Sequence, residues 1–125
     1  MGSSTGGSAQ LTKKSIDFRH DTLQVIRAFP LNVREVVGRA LRRAQYGDKD
    51  AQAKPLKGFG GAGVLEICER APDGTYRVVY TTTIKDSIIV LHAFQKKSMT
   101  GIATPKHEMD LVEKRLREAR EDYGA

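Results

Sequence analysis

At 125 residues and a net charge of +6, the chain can bury one hydrophobic core without covalent staples. Its single cysteine, Cys68, excludes an internal disulfide framework, no Cys/His cluster has zinc spacing, and a reducing cytoplasm is the expected compartment. No apolar run reaches the length of a membrane span and no charged-then-apolar leader opens the chain, so no membrane partner is expected.

The charge is unevenly spread. Gln10 to Gly60 carries eleven Lys/Arg against five acids, whereas ten basic residues meet ten acidic ones from Gly61 onward, so the whole excess lies in the first half. Such a basic face is the electrostatic footprint of a nucleic-acid binder, although surface charge for solubility has the same sign.

Residues 1–10, rich in Gly and Ser, are expected to form a disordered tail or appended segment, leaving 11–125 as one domain. Lys13 to Phe18 is a short candidate strand with Ile16 and Phe18 on one side. Asp21 is placed to cap a helix over Thr22 to Phe29, with Leu23, Val25 and Ile26 inward. The clearest helix follows. Asn32-Val-Arg-Glu35 has the capping-box pattern, with Leu31 able to pack onto the first turn, and Val33, Val36, Val37, Ala40, Leu41 and Ala44 make one apolar stripe. Gly47 is placed to end it. The other side of this helix presents Arg34, Arg39, Arg42 and Arg43, a solvated face or an RNA-binding one.

Asp48 to Gly63 is expected to be a mobile lead-in, anchored by Leu56 and Phe59 and carrying Lys54 and Lys57. It is not a phosphate loop of the Walker type, because no Gly-Lys-Ser/Thr follows. Three β-rich runs then come in quick succession: Val64 to Arg70, Tyr76 to Thr83 and Ser87 to Gln95. Connections this short force antiparallel neighbours. Period-two alternation places Leu65 and Ile67 on one face, against Glu66, Cys68 and Arg70. It sets Tyr76, Val78 and Tyr80 against Arg77, Val79 and Thr81. In the last run it sets Ile88, Val90, His92 and Phe94 against Ile89, Leu91 and Ala93. Arg77 is the anomaly, a permanent cation among apolar strand residues, and Glu66 is its expected partner. After a loop over 98–103, Thr104-Pro105 reads as a hydroxyl cap and first-turn proline of a helix running to about Tyr123. Met109, Val112, Leu116, Ala119 and Tyr123 form its packed stripe.

Serine-hydrolase, zincin and dinucleotide fingerprints are absent. What remains is cationic: Arg77 within the meander, Lys96 and Lys97 at its exit and Lys106 beyond the loop, with no acidic residue between Ser87 and His107. Fixed cations at one sheet end can bind a phosphodiester or stabilise a phosphorane as a 2′-hydroxyl attacks phosphorus. Tyr80 and His92 are candidates for proton transfer or stacking, and His92 has an ordinary core role as its alternative. Cys68 reads as a small buried hydrophobe.

Gly63-Val-Leu-Glu-Ile67, Tyr76-Arg-Val-Val-Tyr80 and Leu91-His-Ala-Phe-Gln-Lys-Lys97, followed by Thr104-Pro105 and a charged helix, resemble the phage-derived, HigB-like branch of the RelE/ParE toxin superfamily. Phe29-Pro30 and Lys54-Pro-Leu-Lys-Gly-Phe-Gly60 share in the likeness, which runs from about Ile16 to the end. The resemblance implies an α+β fold, a RelE-like antiparallel sheet with two N-terminal helices and one C-terminal helix. It implies a type II toxin, an mRNA interferase that cleaves mRNA on the ribosome without cofactor or metal, neutralised by a HigA-like helix-turn-helix antitoxin. By motif position, Arg77 matches a phosphate-binding arginine and Lys96 and Lys97 the basic residues after the last strand. RelE carries lysines where this chain reads Leu65-Glu-Ile-Cys68, and a tyrosine in the segment that here is Ser98 to Ala103, so the general base stays open.

Two other readings stand beside the nuclease. One is a catalytically weak or inactive toxin-like module that binds RNA or joins an antitoxin in a repressor complex; the other is a gyrase poison of the ParE type. Under the nuclease reading, Arg77→Ala and Lys97→Ala are expected to abolish cutting and leave the fold intact.

Overall fold

In a computed structural model, which describes residues 12–60, 63–97 and 104–124, five strands form one sheet. The expected tail and the loop over 98–103 lie outside the described residues. The elements run β1 (Ser15–Phe18), α1 (Thr22–Arg27), α2 (Leu31–Gln45), β2 (Ala53–Pro55), β3 (Val64–Ala71), β4 (Gly74–Ile84), β5 (Ser87–Lys96) and α3 (Lys106–Tyr123). Strand order is β1-β5-β4-β3-β2.

The meander β3-β4-β5 is antiparallel throughout, as its short connections require. β1 pairs in parallel with β5, Ile16 opposite Ile88 and Phe18 opposite Val90. The crossover between them contains most of the chain, so no local signal reveals that pairing. The segment expected to be a loop contributes β2, a three-residue edge strand against Leu65 to Ile67, ending in Pro55. A proline at the end of an edge strand removes a donor that would otherwise invite further pairing.

Helices cover both faces of the sheet. On one, the α2 stripe of Val33, Val37, Ala40, Leu41 and Ala44 buries against Ile67, Val78, Tyr80, Ile88 and Val90, with Ile26 and Phe29 completing the layer. On the other, Val112, Leu116 and Ala119 of α3 pack on Val64, Val79, Ile84, Ile89 and Leu91, with Leu56, Phe59 and Tyr123 at the margin. β4 and β5 are apolar on both sides because they lie inside this three-layer stack.

Helix starts differ from the sequence pattern. α2 begins at Leu31 with Pro30 as its N-cap, no side-chain cap bond forms, and Leu31 is exposed. Pro30, at φ −55°, sets the chain direction two residues before Asn32, so the capping box is not used. At α3 the N-cap is Pro105, and the Thr104 hydroxyl bonds to Glu66 instead of the helix. Gly47 takes positive φ just past α2, as expected, and Gly124 does the same past α3.

Strict alternation also fails in β5. Tyr80 pairs with Val90 but Val79 pairs with His92, leaving Leu91 as the extra residue of a β-bulge. Leu91 packs on the α3 side, and His92 also bonds to α3, so His92 and Phe94 do not share the face of Ile88 and Val90. Ala93, expected beside Ile89 and Leu91, lies in the α2-side core.

Candidate functional site

The bulge gathers the chemistry on one face. Arg77 projects from β4 toward the α3 side, opposite Phe94 on β5 and Cys68 on β3. Its side chain is 3% exposed, and Nη1 donates to Glu66 Oε1 at 3.1 Å. Nη1 also lies 3.4 Å from Thr104 Oγ1, and Nε lies 3.4 Å from Thr75 Oγ1. Thr104 donates in turn to Glu66 Oε2 at 2.8 Å. The expected Arg77–Glu66 pair therefore exists, and Thr104, two residues before α3, closes over it. Carboxylate and hydroxyl fix a guanidinium that could not stay charged and unpaired at this depth.

A second polar group sits on the same face. His92 Nε2 is 2.6 Å from Glu108 Oε1, and Arg115 Nη1 is 3.3 Å from His92 Nδ1. Arginine only donates, so Nδ1 accepts and the ring proton resides on Nε2, directed at the carboxylate. Arg115 is itself aimed by the Leu91 carbonyl at 3.0 Å, and the His92 ring stacks on Phe94 with centroids 5.0 Å apart. His107 Nε2 approaches the other Glu108 oxygen at 3.4 Å. Glu108 and Arg115, both on α3, were not legible as site residues. Their only signal was a charged helix face, and the contact to His92 depends on the bulge.

Lys96 and Lys97 complete the rim. Lys96 is opposite Thr75, two residues before Arg77 on β4, and Lys97 is exposed at the exit of β5. Their path is dictated by Gly74. At φ +132°, a Cβ there would stand 2.4 Å from the Lys96 carbonyl oxygen and 2.8 Å from Lys97 Cα.

The structure does not bring Tyr80 to this group. It is fully buried on the α2 face, its hydroxyl has no hydrogen-bond partner among the described residues, and burial pushes its pKa up to about 12. Neither access nor proton affinity suits it to transfer protons. Cys68 is half-buried on the Arg77 side; burial raises its thiol pKa, opposed by the Arg77 charge.

The remaining candidates divide into three places. On α2, Arg39 Nε donates to Asp50 at 2.9 Å and Arg43 Nε lies 3.3 Å from the same carboxylate. Asp50 is buried, and the Arg39 hydrogen bond, followed by the Gln52 backbone N–H, holds its pKa below the usual carboxylate range. These two arginines close the 46–52 loop onto α2, whereas Arg34 and Arg42 are exposed with no ion-pair partner among the described residues. Lys54 and Lys57 are exposed beside β2 and line a cleft that reaches Glu66 and Thr104. Lys106 is exposed and pairs with Asp110 at 3.0 Å, one turn along α3. Among the described residues, no group of three or more His, Cys, Asp or Glu side chains is placed to hold a metal ion, and no helix is long and apolar enough to cross a membrane.

Comparison with known proteins agrees with this architecture. A family model described as phage-derived protein Gp49-like matches residues 24–117. Among solved structures, a free-state E. coli toxin RelE bearing two arginine-to-alanine substitutions superposes with a TM-score of 0.54 at 18% identity, covering 85% of this chain and 97% of that one. No curated protein sequence matches significantly.

Proposed function

This chain belongs to the phage-derived, Gp49-like family, and from that premise and its RelE fold we propose that it is a type II toxin that cleaves mRNA on the ribosome. The observation that carries the proposal is the convergence on one sheet face of Arg77, the His92–Glu108 pair and the Lys96–Lys97 exit. In this reading the cations bind the scissile phosphate and offset the charge of the phosphorane. Glu108, oriented by His92, accepts the 2′-hydroxyl proton, and a lysine of the rim or the ribosome protonates the leaving 5′-oxygen. Attack forms the 2′,3′-cyclic phosphate and breaks the P–O5′ bond. No metal is required in this scheme.

Arg77 is covered in this structure, so the phosphate must draw it away from Glu66 or bind at its edge. The ribosome supplies a reason for such a rearrangement, since it fixes the mRNA while the exposed Arg34 and Arg42 of α2 engage ribosomal RNA phosphates. A HigA-like helix-turn-helix antitoxin is the proposed neutralising partner, and the cytoplasm the place of action. The non-catalytic module remains the second reading, favoured by the buried Arg77–Glu66 pair. Induction in cells followed by primer extension on translated and untranslated mRNA separates them: discrete cuts confined to translated message are expected. Antitoxin binding with intact message would establish the module instead.

A further inference from the structure

Between β2 and the start of α3 lies a cleft of about 420 Å³, lined among the described residues by Lys54, Pro55, Leu56, Lys57, Glu66, Thr104 and Met109. This volume suits one nucleotide. Its walls are apolar, Pro55 and Leu56 on one side and the Met109 thioether on the other, and a thioether packs well on an aromatic ring. Its polar groups are asymmetric: two exposed lysines at the mouth and one fixed carboxylate, 11% exposed, in the lining. Glu66 is oriented by Arg77 and Thr104, one to each oxygen, which leaves each oxygen a further acceptor position.

We propose that this cleft is a nucleobase subsite with guanine as its preferred occupant, a conclusion that rests on the RNA-targeting reading above. The ordering follows from donor patterns. Guanine presents N1–H and N2–H side by side, which a carboxylate accepts in bidentate fashion. Adenine and cytosine each present one amino donor next to a ring-nitrogen acceptor. Uracil presents N3–H between two carbonyl oxygens, which the carboxylate repels. Lys54 and Lys57 contact the nucleotide's phosphate without regard to base. Because Glu66 also holds Arg77, a base in the cleft sits beside the cation assigned to the scissile phosphate. Base identity is thereby coupled to the reacting centre.

The test is titration of the purified full-length protein with GMP, AMP, CMP and UMP, following the Met109 methyl resonance. Shifts of that methyl are expected, with GMP tighter than UMP by about ten-fold or more, as one bidentate pair implies. Lys57→Ala should weaken all four nucleotides alike and preserve their order. Glu66→Gln should erase the guanine preference; if that variant does not fold, the wild-type series still decides. Saturation without base preference, or a silent Met109 methyl, would overturn the proposal, as would a cleft that takes only an antitoxin peptide. Primer extension in a translating extract is scored separately. Guanine binding without cleavage sinks the nuclease and keeps the subsite, whereas cleavage with an unresponsive cleft does the reverse.

Discussion

Arg77 and Tyr80 are three residues apart on one strand, yet burial means opposite things for them. Arg77 is buried with a carboxylate and two threonine hydroxyls around it; Tyr80 is buried with its hydroxyl orphaned. Tyr80→Phe is therefore expected to be neutral or slightly stabilising, within about 1 kcal/mol by urea denaturation, and to leave RNA cleavage unchanged. Arg77→Ala is not a silent probe of catalysis. It leaves Glu66 unpaired near the core, and a loss of about 3–5 kcal/mol is expected. The sequence-based expectation that this variant keeps the fold intact overlooks the depth of the residue. Glu66 was legible as the carboxylate partner of Arg77, but the closure by Thr104 was not, because Thr104-Pro105 fits a helix cap equally well. Lys97, exposed at the rim, is the better functional probe: Lys97→Ala should retain the wild-type unfolding midpoint and lose cutting.

At the scale of elements, the residues that orient the site are those where local rules are broken. The β5 bulge was invisible because Ile88 to Phe94 is apolar on both sides, and a one-residue slip leaves no hydropathy signature. That slip moves His92 from the Val90 face to the α3 face, where Glu108 and Arg115 receive it. Gly74 is a second such position. Gly74→Ala is expected to cost about 1–3 kcal/mol and to displace the Lys96–Lys97 exit, seen as a lower melting temperature with weakened RNA binding. The α2 stripe and the α3 stripe, by contrast, were readable from helical periodicity, because each helix faces only one layer. The parallel β1–β5 pairing was not readable, since nothing local records a partner 72 residues away.

Across the whole molecule, the basic face on α2 and the Arg77 site on the α3 side lie on opposite faces of the sheet. A ligand as large as the ribosome can address both. The α2 face also has a structural duty, since Arg39 and Arg43 hold Asp50. The carboxyl pKa of Asp50 is lowered in the folded state, so its stabilisation is present above the unfolded value of 3.8 and is lost as pH falls below it. Wild-type protein should lose stability between about pH 4 and pH 2 more steeply than Asp50→Asn, measured by urea midpoint across that range. An Asp50→Asn curve parallel to wild type would show that the pair does not hold the loop.

The central claim, that this face cuts message on the ribosome, is tested most directly by primer extension on an mRNA being translated in an extract supplied with wild-type or Lys97→Ala protein. Discrete cuts by wild type, absent without translation and lost in Lys97→Ala, are the expected result. Uncut message at wild-type concentrations that still bind ribosomes, or full cutting by a folded Lys97→Ala protein, would contradict it.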